Sequence, residues 1–136
     1  MRPAHSALTV MVVDDSPSVR RIVTNLIKSA GWTPVPAKDG LEALEVLHHS
    51  PALPDLVLLD IEMPRMDGYE LLATLRSQEA YRDVPVVMVT SRAGDKHRRK
   101  ALDLGATGYV VKPYQDESLL QTIRQLARGR GQPVLT

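Results

Sequence analysis

The chain has 136 residues, no cysteine and a formal net charge of +1. That length suits one domain with its own core, the lack of cysteine excludes disulfides and thiolate metal sites, and the near-zero charge removes any global pull toward nucleic acid or membrane. Aromatic residues make up only 4% and Phe is absent, so the core must be aliphatic. The N-terminal MRPAHSA has no apolar run of signal-peptide length. No stretch approaches the roughly 20 apolar residues of a membrane span, and a cytoplasmic protein is expected.

The first apolar run, LTVMVV at 8–13, stops at Asp14 and Asp15. Ser16 is a good N-cap and Pro17 suits the first helical position. Val19, Ile22, Val23, Leu26, Ile27 and Ala30 then recur at helical spacing, and Gly31 is a natural stop. TPVPA at 33–37 reads as a second strand, and the following PAKDG as a plain turn. A second helix is expected over 40–49 with Leu41, Leu44 and Leu47 inward. DLVLLD at 55–60 is a third strand. A third helix over 67–78 turns Leu71, Leu72 and Leu75 inward. PVVMVT at 85–90 is a fourth strand. The helix expected over 95–104 is largely polar, with only Ala101, Leu102 and Leu104 as core positions. GYVV at 108–111 makes a fifth strand, and the helix over 116–128 carries Leu119, Leu120, Ile123, Leu126 and Ala127. Residues 1–7 and 129–136 read as flexible ends of a domain spanning 8–128.

Strict β-α alternation with continuous apolar strands predicts an α/β fold, a parallel sheet covered by helices on both faces. Ligands of such sheets bind beyond the carboxyl ends of the strands. There the chain places Asp14 and Asp15, Asp60, Thr90 and Lys112. Each has an ordinary structural explanation. Asp15 suits a helix start, Asp60 a turn, Thr90 a cap, and Lys112 a solvated surface. Together they make a chemically matched set. Carboxylates about 4 Å apart repel by roughly 4 kcal/mol at an effective dielectric near 20. Three carboxylates against one ammonium leave the charge that a divalent cation neutralises. Hard oxygen ligands without nearby His or Cys suit Mg²⁺, and one aspartate could then attack phosphorus.

The acidic pair Asp14-Asp15, LLDIEMPRMDGYELL around Asp60, PVVMVTSRAG around Thr90 and GATGYVVKPY around Lys112 occur in order. On these motifs, residues 8–128 resemble a response-regulator receiver domain. The segment from Thr90 onward is most similar to receivers of chemotaxis-type systems, including the C-terminal receivers of chemotaxis-like hybrid histidine kinases. The resemblance implies a flavodoxin-like (βα)5 doubly wound parallel sheet in the order 2-1-3-4-5. It implies a phosphoacceptor switch that reacts on itself rather than on separate substrates. Asp60 would take the phosphoryl group from a histidine kinase or histidine phosphotransfer domain. Asp14, Asp15, Asp60 and the Glu62 backbone carbonyl would hold Mg²⁺ or Mn²⁺. Thr90 and Lys112 would bind the phosphoryl group, Thr90 and Tyr109 would form the switch, and the Lys112-Pro113 peptide would be cis. The face made by helix 4, strand 5 and helix 5 would meet a downstream protein, the chain being a monomer or a weak phosphorylation-dependent dimer. No DNA-binding output segment follows helix 5 in this sequence, whether the chain is a free-standing regulator or a terminal domain.

Other readings remain open at this point. One is a receiver-like binding module that is never phosphorylated. A small-molecule phosphatase would need a second acid beside Asp60, for which Glu62 is the only candidate. A flavin site would need a hydroxyl-rich loop where DDSPS stands. The cationic RAGDKHRRK suits a solvated or docking helix face better than a nucleic-acid patch. His5, His48, His49 and His97 are scattered and not placed as ligands; His48 and His49 suit a helix C-terminus. Trp32 should lie at the N-terminal end of the sheet, far from the acids.

Overall fold

The computed structural model describes residues 8–127; the expected tails at 1–7 and 129–136, His5, and the last residue of the expected domain lie outside them. Elements alternate as β1 (Thr9–Val13), α1 (Pro17–Ser29), β2 (Thr33–Ala37), α2 (Gly40–His49), β3 (Leu56–Leu59), α3 (Gly68–Ser77), β4 (Val86–Thr90), α4 (Asp95–Asp103), β5 (Gly108–Val111) and α5 (Asp116–Leu126). The strands form one parallel sheet in the order β2-β1-β3-β4-β5.

The period of two along each strand divides the core. Met11, Val13, Val57, Leu59, Val86 and Met88 pack with Ala43 of α2, with Leu71, Leu72 and Leu75 of α3, and with Ala101 of α4. Val10, Val12, Leu56, Leu58, Val87 and Val89 face Val23 and Ile27 of α1 and Leu119 and Ile123 of α5. The continuous apolar runs of β1, β3 and β4 are thus sealed on both sides. β2 is an edge strand. Thr33 N–H donates to the Leu8 carbonyl (2.8 Å), so alternation turns the Pro34 and Pro36 nitrogens to the open edge, where no donor is needed.

Local signals set the helix boundaries. Ser16 Oγ accepts from the Val19 N–H (3.3 Å) with Pro17 next to it. Asp67 and Glu70 form a reciprocal capping box, so Asp67 caps α3 instead of starting it. Gly31 stops α1 with a φ of 85°.

Three apolar residues expected inside are not. Ile22 is 63% exposed, Leu41 45% and Leu102 49%. Each lies on an apolar arc wider than the strip that the sheet covers. Around α2 the sealed positions are Gly40, Ala43 and Leu47, and at about 100° per residue Leu41 falls on the far side. In α4 only Ala101 is buried, and Leu102 stands one residue past it. Trp32 lies where β2 begins, against the cluster that contains Ile27 and Ile123.

Candidate functional site

The strand order reverses between β1 and β3, and both strands end there in carboxylates. Val13 pairs with Leu59, and Asp60 N–H donates to the Val13 carbonyl (3.0 Å), so Asp14 and Asp60 leave the sheet side by side. Thr90 closes β4, and Lys112 N–H donates to its carbonyl (2.8 Å). Backbone pairing alone therefore gathers residues from four segments at one edge.

Asp14, Asp15 and Asp60 each offer a carboxylate oxygen within 4.8 Å of the others. Their settings differ. Asp14 is buried, with Oδ1 accepting the Ser16 N–H (2.9 Å) and its carbonyl accepting from Arg20 Nη1 (2.7 Å). Asp15 is exposed and Asp60 half-buried. Lys112 Nζ stands 3.7 Å from Asp14 Oδ2. Burial, and then the neighbouring Asp14 carboxylate, push the Asp60 carboxyl up to about 6, against the opposing pull of Lys112. Such crowding of acids is what an added cation relieves.

The rim is also organised. Thr90 is 1% exposed, and its Oγ1 accepts the Arg92 N–H (3.1 Å). The Arg92 guanidinium donates to Glu62 Oε2 from both Nε (3.0 Å) and Nη2 (2.9 Å), joining the β3–α3 and β4–α4 loops across the mouth. Tyr109 donates its hydroxyl to the Arg92 carbonyl (2.8 Å). The Lys112-Pro113 peptide is cis.

Sequence reasoning missed the support beneath this rim. PAKDG is more than a turn. Asp39 is 3% exposed, caps α2 through the Glu42 N–H (2.8 Å) and pairs with Arg65. The backbone bond from Glu42, along with Arg65, holds its carboxyl below the usual range despite burial. Arg65 sits at a φ of 68°, so this pairing fixes an uncommon backbone turn in the loop after Asp60. Gly68 starts α3 against the same loop. A β-carbon there would stand 2.8 Å from Ile61 Cα, while its N–H donates to the Ile61 carbonyl (2.8 Å). The DG pair could have signalled this close approach. The Asp39–Arg65 pair had no local signal.

No helix among the described residues is long and apolar enough to cross a membrane. The chain is 36% identical over 122 residues to the sensor histidine kinase CheAY of Helicobacter pylori, spanning 90% of this chain but 15% of that one. It also matches 45% of the length of the probable transcriptional regulator ycf27 of Guillardia theta, at 40% identity over 88% of this chain. Protein PilG of Pseudomonas aeruginosa is 35% identical, over 91% of this chain and 90% of PilG. Among solved structures, the Vibrio cholerae chemotaxis protein CheY4 superposes with a TM-score of 0.82 at 33% identity, covering 89% of this chain and 99% of that one. The receiver domain of the Pseudomonas aeruginosa sensor kinase PA1611, whose active-site cleft coordinates magnesium, gives a TM-score of 0.79 at 25% identity over 89% and 98% of the two chains. The model of the response regulator receiver domain matches residues 10–124. A sheet that delivers three aspartates, a threonine and a lysine to one edge, in a chain with these chemotaxis-type relatives, belongs to the receiver-domain family of two-component signalling.

Proposed function

We propose that the protein is a phosphoacceptor switch. A phosphoryl group passes from a phosphohistidine of a histidine kinase or phosphotransfer domain to a carboxylate oxygen of Asp60. The α4–β5–α5 face then changes for a downstream protein. The observation that carries this reading is the convergence of Asp14, Asp15 and Asp60 within 4.8 Å, beside Lys112.

The donor set fits Mg²⁺, or Mn²⁺ in its place: hard oxygens at one strand edge, with the Asp60 carboxyl pushed up to about 6 by burial and by its acidic neighbour. Asp14, Asp15, Asp60 and the Glu62 carbonyl would hold the ion. When bound, it supplies positive charge to phosphoryl oxygens. The chain's own residues supply the rest. At neutral pH Asp60 is mostly ionised and so keeps a lone pair for phosphorus. The Lys112 ammonium offsets phosphoryl charge. Thr90 accepts from the Arg92 N–H, which leaves its own hydroxyl proton for a phosphoryl oxygen. Drawing Thr90 toward that oxygen strains the 90–92 turn, where the Tyr109 hydroxyl is tied, and frees Tyr109 to turn inward.

The test is intact mass after incubation with Mg²⁺ and acetyl phosphate. The native chain is expected to gain one phosphoryl group as a base-labile adduct, and Asp60→Asn none. No adduct on the native chain overturns the reading; an undiminished adduct on the variant overturns the choice of nucleophile.

A further inference from the structure

α4 is the least anchored helix of the fold. Its sequence, DKHRRKALD, seals only Ala101, and Gly94 at its N-cap offers no side chain to the first turn. Hydrophobic burial is thus a small part of what seats it. Two of its cations instead stand over tyrosine rings. Lys100 Nζ is 4.3 Å from the Tyr69 centroid, and the Arg98 guanidinium carbon is 5.0 Å from that of Tyr109. An ammonium over an aromatic face is attracted by the ring quadrupole.

Tyr69 is the more telling ring. It is only 6% exposed; its hydroxyl is buried beside Arg92 and Tyr109 but makes no hydrogen bond of normal geometry among the described residues. Here the ring face makes the contact. Tyr69 also directly follows Gly68, which packs on the backbone of Asp60 and Ile61 too tightly to accept a β-carbon. Tyr69 therefore moves with the phosphoacceptor loop, while Lys100 moves with α4.

We propose that Lys100 and Tyr69 are positioning residues: a cation–π latch that seats α4 on the loop carrying Asp60. Seating of α4 rests on the contact alone; its coupling to phosphoryl binding rests on the phosphoacceptor reading above. Opening the latch loosens the helix that presents the output face, and whatever shifts the Asp60 backbone shifts the ring on which Lys100 sits.

Hydrogen exchange of residues 95–103 in the unphosphorylated full chain tests the seating. Lys100→Met keeps the stem and removes the charge, at an exposed position where folding is not at risk. It is expected to speed α4 exchange about two- to fivefold, the range of an exposed cation–π contact. Tyr69→Phe keeps the ring and is expected to leave α4 at the native rate, while Tyr69→Leu matches Lys100→Met. Combining Lys100→Met with Tyr69→Leu adds nothing further. An unchanged rate in Lys100→Met overturns the latch, and so does a Tyr69→Phe as loose as Tyr69→Leu. Coupling is read from the affinity for beryllofluoride, a phosphoryl mimic, in the presence of Mg²⁺. Lys100→Met is expected to bind it about two- to threefold tighter than the native chain; equal affinity overturns the coupling. A native chain that binds none overturns the phosphoacceptor reading, and the exchange rates still decide the seating.

Discussion

In β1, β3 and β4 nearly every residue is sealed on both faces, and their ends carry Asp14, Asp60 and Thr90. β5 beside them is half-buried throughout, and α4 seals a single alanine. The acids therefore stand on close-packed sheet, which holds like charges at short range without letting them drift apart. The flank is seated by polar and cation–π contacts, individually worth about 1 kcal/mol, and can shift without opening the core. The phosphoacceptor switch proposed above would need this division. Charge must change at a place that does not give way, and the response must come from a place that does.

Cutting equal leucines from each side tests this division most directly. Leu59→Ala removes a side chain that is 0% exposed, and a loss of about 2–5 kcal/mol is expected. Leu102→Ala removes one that is 49% exposed, with a loss under about 0.5 kcal/mol. Urea unfolding of both variants measures the difference; comparable losses would mean that α4 is part of the rigid core. Next in size is Asp39→Ala, which deletes the α2 cap and the partner of Arg65. A loss of about 1–2 kcal/mol is expected, most of it from the cap, because Arg65 itself is 58% exposed.

The rigid side also predicts a pH dependence. The Asp60 carboxyl is raised from 3.8 to about 6 in the fold. Between those values the native state holds more protons than the unfolded chain, so stability falls as pH rises. The contribution of protonated Asp60 is complete below about pH 4 and lost as pH passes 6. Discounted for screening at a half-buried site, it amounts to about 1 kcal/mol. In EDTA, Asp60→Asn is accordingly expected to be more stable than the native chain at pH 7.5 by about that amount, and to lose the advantage at pH 4. Asp39, whose carboxyl is lowered, acts in the opposite sense, its contribution fading as pH falls below the ordinary carboxylate value. The difference between the two chains isolates Asp60. An advantage that persists at pH 4 would place its cause in packing instead of charge.

The rigid half was the legible half. LTVMVV, DLVLLD and PVVMVT are continuous because both faces are covered, and a polar residue marks the carboxyl end of each strand. Strand order was carried by resemblance, and with it came the meeting of Asp14 and Asp60. The flank was less legible because its helices carry more apolar surface than the sheet covers. Nothing local distinguishes Leu102, left out, from Leu104, packed against the core. Asp39 and Arg65 are 26 positions apart, and only the return of the chain through α2 and the parallel strand β3 brings them together. Lys100 and Tyr69 meet for the same reason, across α3, β4 and the β4–α4 loop.

The smallest expected effect lies at the opposite end of the sheet. Trp32 precedes β2, with its ring against the α1–α5 side of the core and the Arg124 guanidinium carbon 5.6 Å from its centroid. The acids follow the other end of β1, a five-residue strand, so about 17 Å of rigid sheet separates the two. Loading the acidic edge with Mg²⁺ should rearrange side chains there and leave the packing of β1 unchanged. Trp32 fluorescence is therefore expected to stay flat through a Mg²⁺ titration in which the thermal midpoint rises. A strong quench of Trp32 that persists in Arg124→Gln, where the cationic contact from α5 is gone, would mean that strain at Asp14 travels through β1 to its far end. The sheet would then yield as α4 does, and the distinction between a fixed charge site and a mobile response face would no longer describe this molecule.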